Sequence, residues 1–158
     1  DTGEKTMTGG RLNSVAKYIQ DEDSFCLTYG DGVSDIDITR SIAFHNGHKK
    51  KATIAAVSPA ARFGALDISN GLVNSFIEKP KGDGGLVNGG FFVLSPDVLD
   101  LITGADCVWE EDPLATLAKE GQLMAFEHNG FWQPMDTLRD KVLLEDLWHA
   151  GNAPWKTW

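Results

Sequence analysis

The stretch Phe25-Cys26-Leu27-Thr28-Tyr29-Gly30-Asp31-Gly32-Val33-Ser34-Asp35 decides the fold, because an apolar run breaks there into Gly-Asp-Gly. A short apolar run bounded by glycines predicts a buried strand of a parallel sheet, and open α/β sheets bind ligands just beyond the carboxyl ends of such strands. Asp31 lies at that end, between two glycines that leave room for a bulky anion. A carboxylate beside phosphates commonly holds magnesium. The alternative interpretation is a turn in which Asp31 or Asp35 caps the next helix.

Length, composition and charge limit the class of protein. The chain has 158 residues, 42% hydrophobic and 23% charged, which favours a single domain over residues 1–158. Its net charge of −9 leaves no broad basic face, which argues against a nucleic-acid or anionic-membrane partner. No apolar run in the sequence is long enough to cross a bilayer. Cys26 and Cys107 lack CxxC spacing, so we predict reduced structural thiols and a cytoplasmic location.

Hydrophobic periodicity predicts helices and strands in alternation. A helix over residues 37–47 followed by a strand over 52–57 makes, with the strand at Phe25, a βαβ unit, and such a unit implies a parallel sheet. Asn70-Gly71 between two apolar runs predicts a β-hairpin. The other predicted helices cover residues 11–20, 95–101, 114–119 and 137–149, and the other predicted strands cover 65–68, 72–77, 86–94 and 123–126.

Two features near helix ends have alternative interpretations. Thr8 is a candidate cap for the first helix, and Gly9 and Gly10 at its entrance can present backbone N–H groups to an anion or a base edge, or simply belong to a flexible terminus. His45 and His48 have a spacing that can chelate a metal on a helix. We interpret them instead as polar groups that complement the helix dipole near a glycine stop at Gly47.

Three further segments bring chemically useful side chains to strand ends. Glu78-Lys79-Pro80 follows the second hairpin strand and delivers an acid and a base together. Asn88-Gly89-Gly90 interrupts a buried strand, which suggests a bulge or the close approach of a ligand. Asp136 ends the aromatic segment that starts at Phe131 and supplies a second acid.

Six motifs, in this order along almost the whole chain, resemble those of the glucose-1-phosphate cytidylyltransferases, a family of sugar-phosphate nucleotidylyltransferases. They are Thr6-Met7-Thr8-Gly9-Gly10-Arg11-Leu12, Tyr29-Gly30-Asp31-Gly32, Arg62-Phe63-Gly64, Glu78-Lys79-Pro80, Asn88-Gly89-Gly90 and Phe131-Trp132-Gln133-Pro134-Met135-Asp136-Thr137. The resemblance implies an α/β chain with a partial Rossmann-like nucleotide-diphospho-sugar transferase fold, in which helices flank a mixed, mostly parallel sheet. It also implies formation of CDP-glucose and pyrophosphate from CTP and glucose 1-phosphate.

The resemblance also assigns roles to individual residues. Asp31 and Asp136 would hold Mg²⁺, and Lys79 would bind the phosphate of the sugar phosphate. These three residues would carry the catalysis. Glu78 and Asn88 would hydrogen-bond sugar hydroxyls with Gly89 beside them, while Gly9 and Gly10, together with Asp31, would line the nucleotide site.

One motif of the resembling family is absent from the sequence. A Gly-Gly-x-Gly-Thr-Arg loop with a downstream Lys-Pro, which grips the triphosphate, does not occur in the 158 residues. We therefore expect the carboxyl-terminal portion of such an enzyme, lacking the amino-terminal strands and inactive or weakly active alone. We also expect a homo-oligomer that covers the exposed sheet edge, and a possible separate amino-terminal chain. The alternative is a non-enzymatic binding or assembly module that keeps the fold.

Overall fold

The structure, a computed structural model, describes residues 1–59, 65–69, 72–77 and 85–157, with residues 65–69 and 72–77 described by their backbone. The α-helices in this part of the chain are α1 (Thr8–Ser14), α2 (Ala16–Ile19), α3 (Ile38–His48), α4 (Asp112–Lys119) and α5 (Leu138–His149), with a 3₁₀ helix at Pro96–Leu101. The strands are β1 (Phe25–Thr28), β2 (Gly32–Ser34), β3 (Ala52–Val57), β4 (Ala65–Ser69), β5 (Leu72–Ile77), β6 (Val87–Leu94), β7 (Leu123–His128) and β8 (Trp132–Pro134).

The chain divides into two compact units. The first contains residues 1–29, 37–55 and 90–126, and the second contains residues 30–36, 56–89 and 127–158. An α/β chain with a mixed sheet and flanking helices is the fold class that the sequence predicts, and it is confirmed. The single domain over residues 1–158 stays a prediction. Within the described residues, every helix is too short or too polar to span a bilayer.

The first unit is built on a four-stranded sheet in the order β1-β6-β3-β7. β1 pairs antiparallel with β6, with Phe25 opposite Leu94 and Thr28 opposite Phe91. The prediction of β1 as a buried interior strand is wrong for this sheet, because β1 is its terminal strand. Alternate β1 residues, such as Cys26 and Thr28, are exposed, which is the period-2 pattern of a half-buried strand. Strand β6 also lies between β1 and β3, so the predicted βαβ unit does not place these two strands side by side.

Helices pack on this sheet through a compact apolar core. The sheet contributes Ala52 from β3 and Phe92 and Leu94 from β6. The side chains packed against them are Leu12 of α1, Val98 of the 3₁₀ helix, Trp109 of the loop before α4, and Leu114 and Leu117 of α4. Burial of a leucine-sized side chain stabilises a fold by about 1.5–3 kcal/mol. The helical periodicity seen in the sequence therefore serves to bury these faces.

The first helix differs from its predicted form. It starts at Thr8, before the predicted residue 11, and breaks at Val15 before the short α2. Thr8 does not cap it, because Met7 occupies the N-cap position without a side-chain cap bond. The Thr8 hydroxyl instead accepts a 2.9 Å hydrogen bond from the Trp109 N–H and donates a 2.6 Å bond to Glu110.

Helix α3 ends one residue later than predicted. Its N-cap is Asp37, whose carboxylate accepts a 2.9 Å hydrogen bond from the Arg40 N–H. Neither Asp31 nor Asp35 caps this helix, so that alternative interpretation is wrong. Gly47 lies inside the helix, and Lys49, with φ of 58°, takes the left-handed C-terminal position. His48 extends the last turn because its ring accepts the Lys50 N–H at 2.9 Å.

The second unit contains two strand pairs and α5. β4 and β5 pair antiparallel, with Ala65 opposite Ile77 and Ser69 opposite Leu72, which confirms the predicted hairpin; its Asn70-Gly71 turn lies outside the described residues. β2 pairs antiparallel with β8 over three residues. Helix α5 begins with a capping box between Thr137 and Asp140, as the sequence pattern of that segment favours.

Candidate functional site

Asp31 and Asp136 leave the short pair β2·β8 at the same end. Gly32 lies opposite Pro134, and the Met135 N–H donates a 2.7 Å hydrogen bond to the carbonyl oxygen of Asp31. Asp31, the residue before β2, thus lies opposite Met135, and Asp136 is the next residue after Met135. Both aspartates are exposed. The structure therefore brings close together the backbones of two aspartates that lie 105 positions apart in the sequence.

The donor chemistry of this pair fits a hard divalent cation. Both carboxylates are exposed, and neither makes a hydrogen bond or an ion pair with another residue in the part of the chain that the structure describes. Mg²⁺ is usually bound through one or two carboxylates and completed by water or substrate phosphates, and it does not need a cage of protein ligands. Accordingly, no cluster of three or more metal-ligating side chains occurs in the described part of the chain.

Asn88 and Gly89, the part of the Asn88-Gly89-Gly90 motif that belongs to the second unit, are connected to β8. The Trp132 indole N–H donates a 2.7 Å hydrogen bond to the carbonyl oxygen of Gly89. Gly89 is buried, whereas Asn88 is exposed at the start of β6. Strand β8, which leads to Asp136, is therefore hydrogen-bonded to the segment that carries Asn88. Glu78 and Lys79, the other two residues assigned to the sugar phosphate, lie outside the described residues.

Gly9 and Gly10 belong to the first unit and pack against a loop. The N–H groups of Gly9 and Gly10 donate to the carbonyl oxygen of Cys107 at 2.9 and 3.3 Å. A Cβ on either glycine would lie closer than 3.0 Å to backbone atoms of Cys107 or Ala105. Close packing is thus a sufficient reason for both glycines, and their amides are engaged within the protein. Nucleotide binding at Gly9 and Gly10 stays a prediction.

A carboxylate that the sequence analysis missed joins two of the motifs in the first unit. Glu110 accepts hydrogen bonds from the Tyr29 hydroxyl and, at 2.6 Å, from the Thr8 hydroxyl. Tyr29 also packs against Gly90, because a Cβ at Gly90 would lie 2.6 Å from the tyrosine ring. Gly90 has φ of 75°, which favours glycine. Glu110 follows the buried Trp109 in a segment without apolar periodicity, so the sequence gives no signal for this role.

A second missed cluster lies beside β2 and combines Ser34, Asp35 and His128. The His128 Nε2 atom is 2.9 Å from Asp35 Oδ1 and 3.2 Å from the Ser34 hydroxyl oxygen. These residue types also occur in nucleophilic triads, but a triad needs serine and aspartate on opposite ring nitrogens. Here both contact the same nitrogen, and the Ser34 hydroxyl donates to the Phe131 carbonyl at 2.7 Å. The cluster therefore holds a turn together and does not form a proton relay.

His45 and His48, in the first unit, both form hydrogen bonds with the hydroxyl group of Thr53. The Lys50 N–H donates to His48 Nδ1 at 2.9 Å, so the His48 Nε2–H is left to donate to the Thr53 hydroxyl at 2.7 Å. The Thr53 hydroxyl then donates to His45 Nδ1 at 2.9 Å. Burial lowers the pKa of His45, and the nearby His48 lowers it further. Burial and Lys50 lower the pKa of His48. The rings are thus a neutral structural network, which favours the interpretation without a metal.

A groove of about 420 Å³ lies along α5 in the second unit. Its lining is mostly apolar and includes an ion pair between Lys141 and Glu145 at 3.4 Å. The remaining lining residues are Val33, Met135, Leu144, Trp148 and His149. No motif in the sequence predicts a role for this groove.

Comparisons with known proteins agree with these motifs. A family model described as "Nucleotidyl transferase" matches residues 5–133. The chain is similar to the glucose-1-phosphate cytidylyltransferases of Salmonella typhi and of Salmonella typhimurium (strain LT2), each 64% identical over 158 residues. The alignment covers 100% of this chain and 62% of each relative, so the chain spans less than two thirds of the length of the curated relatives it matches.

A solved structure has the same fold. The crystal structure of HddC from Yersinia pseudotuberculosis superposes with a TM-score of 0.66 at 26% sequence identity. The superposition covers 89% of this chain and 62% of HddC. The recognition from motifs and the fold class predicted with it are thereby confirmed.

Proposed function

The chain belongs to the nucleotidyl transferase family, and we propose that it takes part in the transfer of a cytidylyl group from CTP to glucose 1-phosphate, with CDP-glucose and pyrophosphate as products. The observation that carries this proposal is the 64% identity over all 158 residues to the Salmonella glucose-1-phosphate cytidylyltransferases. The juxtaposition of Asp31 and Asp136 on β2·β8 supports it independently.

The reaction requires positioning more than acid–base chemistry. A phosphate oxygen of glucose 1-phosphate forms a new bond to the α-phosphorus of CTP, and the bond from that phosphorus to the bridging oxygen of pyrophosphate breaks. Glucose 1-phosphate is already an anion, so its attack needs no general base. The protein has to hold the two substrates in line and to reduce the repulsion between their phosphates.

The residues of this chain have separate roles in that task. Lys79 pairs with the phosphate of glucose 1-phosphate, as a cationic partner in a chain of net charge −9. Glu78 accepts hydrogen bonds from sugar hydroxyls, while Asn88, beside Gly89, can both donate and accept. The bond from Trp132 to the Gly89 carbonyl supports this assignment, because it keeps the Asn88 segment next to the strand that leads to Asp136. Gly9 and Gly10 contribute to the nucleotide side.

Asp31 and Asp136 would hold a divalent cation, which we propose to be Mg²⁺. When bound, the ion supplies positive charge that screens the phosphates. The hydrogen bond from the Met135 N–H to the Asp31 carbonyl supports this role, because it holds the backbones next to both carboxylates together at the end of β2·β8.

We further propose that the chain acts as a homo-oligomer in the cytoplasm. Exposed apolar side chains of the α1–α2 region, Met7, Val15 and Tyr18, support self-association. The free thiols of Cys26 and Cys107 support a reducing compartment. Light scattering at micromolar concentration tests the first point, and a stable monomer would contradict it.

Catalysis by the 158 residues alone should be weak, because the Gly-Gly-x-Gly-Thr-Arg motif that grips the triphosphate in the resembling family is not among them. A polypeptide that carries the motif, added in trans, would then raise the rate. The second candidate is a non-enzymatic binding or assembly module. It is favoured if neither substrate binds.

Calorimetric titration with glucose 1-phosphate and with CTP, each with Mg²⁺, tests the proposal. Loss of a charged partner at a phosphate costs about 1.5–3 kcal/mol, or roughly tenfold or more in affinity. We therefore expect Lys79→Ala to weaken glucose 1-phosphate binding and Asp136→Asn to weaken the Mg²⁺-dependent binding of both ligands. Lys119→Ala and Asp146→Asn are matched controls, since both residues are exposed on helices and belong to none of the assigned motifs. Wild-type protein that binds neither ligand at millimolar concentration would contradict the proposal.

A further inference from the structure

The pair β2·β8 is too short to fix its own register. It has three opposed residue pairs, Gly32–Pro134, Val33–Gln133 and Ser34–Trp132, and Pro134 has no N–H to donate. Isolated two-stranded pairs are marginal in water even when longer. Additional contacts must therefore set how β2 and β8 lie against each other, and with them the separation of Asp31 from Asp136.

Asp35 provides such a contact at the end of the pair away from Asp31. Its Oδ1 atom accepts a 2.7 Å hydrogen bond from the Phe131 N–H, while its own N–H donates to the Phe131 carbonyl at 3.2 Å. The same Oδ1 lies 2.9 Å from His128 Nε2. A single oxygen of Asp35, just after β2, thus contacts both Phe131, the residue before β8, and His128, the last residue of β7.

Gly130 shows how tightly this contact is packed. A Cβ at Gly130 would lie closer than 3.0 Å to both Asp35 Oδ1 and His128 Cε1. No side chain fits at position 130 unless the carboxylate or the ring moves. The turn from His128 to Phe131 is therefore shaped around the Asp35 carboxylate.

We propose that Asp35 is a positioning residue that fixes the register of β2 against β8 and so sets the Asp31 and Asp136 carboxylates at the spacing that binds one divalent cation. The inference rests on the metal-binding role given to these two aspartates under the proposed function. Asp35 acts through the Phe131 backbone and not as a ligand of the ion. A slip of one residue would displace one carboxylate by about 3.3 Å along the strand, which is larger than a metal–oxygen bond.

Two variants separate this hydrogen-bonding role from a contribution of charge. Asp35→Ala removes the acceptor, whereas Asp35→Asn keeps an oxygen that can accept the Phe131 N–H and removes the charge. If Asp35→Ala fails to fold, Gly130→Ala displaces the same carboxylate while retaining it. Asp37→Ala is the control. It also removes an aspartate that accepts a backbone N–H, the cap of α3, and Asp37 belongs to neither β2 nor β8.

The measurement is Mn²⁺ binding to the 158-residue chain, from the spectrum of free Mn²⁺ in electron paramagnetic resonance, with thermal unfolding recorded for each variant. We expect Asp31→Asn and Asp136→Asn to abolish the site, Asp35→Ala and Gly130→Ala to weaken it about tenfold, and Asp35→Asn and Asp37→Ala to stay within about threefold of wild type. Asp35→Ala within twofold of wild type, or Asp35→Asn as weak as Asp35→Ala, would overturn the positioning role alone. Wild-type protein that binds no Mn²⁺, or that binds it equally after Asp31→Asn and Asp136→Asn, would overturn both the metal site and this inference.

Discussion

The Met135 N–H donates a 2.7 Å hydrogen bond to the carbonyl oxygen of Asp31. This backbone contact extends the β2·β8 pair beyond its last opposed residues, Gly32 and Pro134, up to the two aspartates. Asp136 directly follows Met135, so both carboxylates emerge where the pair ends. Main-chain geometry therefore brings together two aspartates that are distant in the sequence, and their role as metal ligands stays a prediction.

Two helical glycines should respond oppositely to the same substitution. Gly47→Ala should raise the free energy of unfolding by about 0.5–1 kcal/mol, because alanine favours a helix and nothing lies within 4 Å of the new Cβ. Gly10→Ala should lower it by about 1–3 kcal/mol, because its Cβ would meet the Ala105 backbone closer than 3.0 Å. Urea unfolding of both variants checks this. A stabilised Gly10→Ala protein would show that α1 does not pack on residues 105–107 as described.

Protein stability should fall in mild acid because of the His45–Thr53–His48 network. The pKa values of His45 and His48 are lowered in the folded state. Below the ordinary histidine pKa of about 6.5, these two histidines are therefore protonated in the unfolded chain but not in the folded chain. The free energy of unfolding then decreases as the pH drops. Above that pH both states are neutral at these positions, and the contribution is constant. Urea unfolding at a series of pH values between 7.5 and 5 measures the slope.

A matched pair of variants assigns that slope to the network. His45→Gln should flatten the fall in stability, since it removes a buried titrating ring. Asn46→Gln should leave the slope unchanged, because Asn46 is exposed on the same helix and has no titrating group. An equal slope in wild type and His45→Gln would contradict the assignment.

Trp109 should tolerate phenylalanine far better than alanine. Its side chain is 1% exposed and packs edge-on against Phe92 at 6.1 Å between ring centroids. Its Nε1–H finds no acceptor among the described residues. Trp109→Phe removes that unsatisfied donor and should stay within about 1 kcal/mol of wild type, whereas Trp109→Ala should cost about 3–5 kcal/mol. Thermal unfolding distinguishes them, and a large cost for Trp109→Phe would indicate an acceptor for the indole N–H.

Local sequence signals predicted much of the fold. The strand over 52–57 and the helix beginning at Thr137 agree with the structure, because burial on two faces and a capping box are both local patterns. The edge position of β1 was not accessible from its sequence. Phe25, Leu27 and Tyr29 read as a buried run, but strand order depends on β6, more than sixty residues later in the chain.

In the candidate site, too, local sequence signals predicted some residues, whereas others depend on contacts with distant segments. Asp31 and Asp136 stand out in the sequence because each follows an apolar or aromatic segment. The pair β2·β8 brings their backbones close, and their role in metal binding stays a prediction. Asp35, His128 and Glu110 were missed as partners because each acts on backbone or hydroxyl groups from distant segments. The sequence around an isolated aspartate in a turn does not indicate from which distant N–H group its carboxylate will accept a hydrogen bond.

The central claim is that Asp31 and Asp136 hold a divalent cation next to the phosphate of the sugar phosphate. The most direct test is the ³¹P NMR linewidth of glucose 1-phosphate with trace Mn²⁺ and excess protein, for wild type and Asp136→Asn. Wild-type protein should broaden the phosphate signal strongly, because Mn²⁺ and the phosphate share one site. Asp136→Asn should reduce the broadening to a baseline level. That baseline is measured with the Asp146→Asn control protein after excess Mg²⁺ has displaced Mn²⁺ from its metal site. Equal broadening by wild type and Asp136→Asn would contradict the claim.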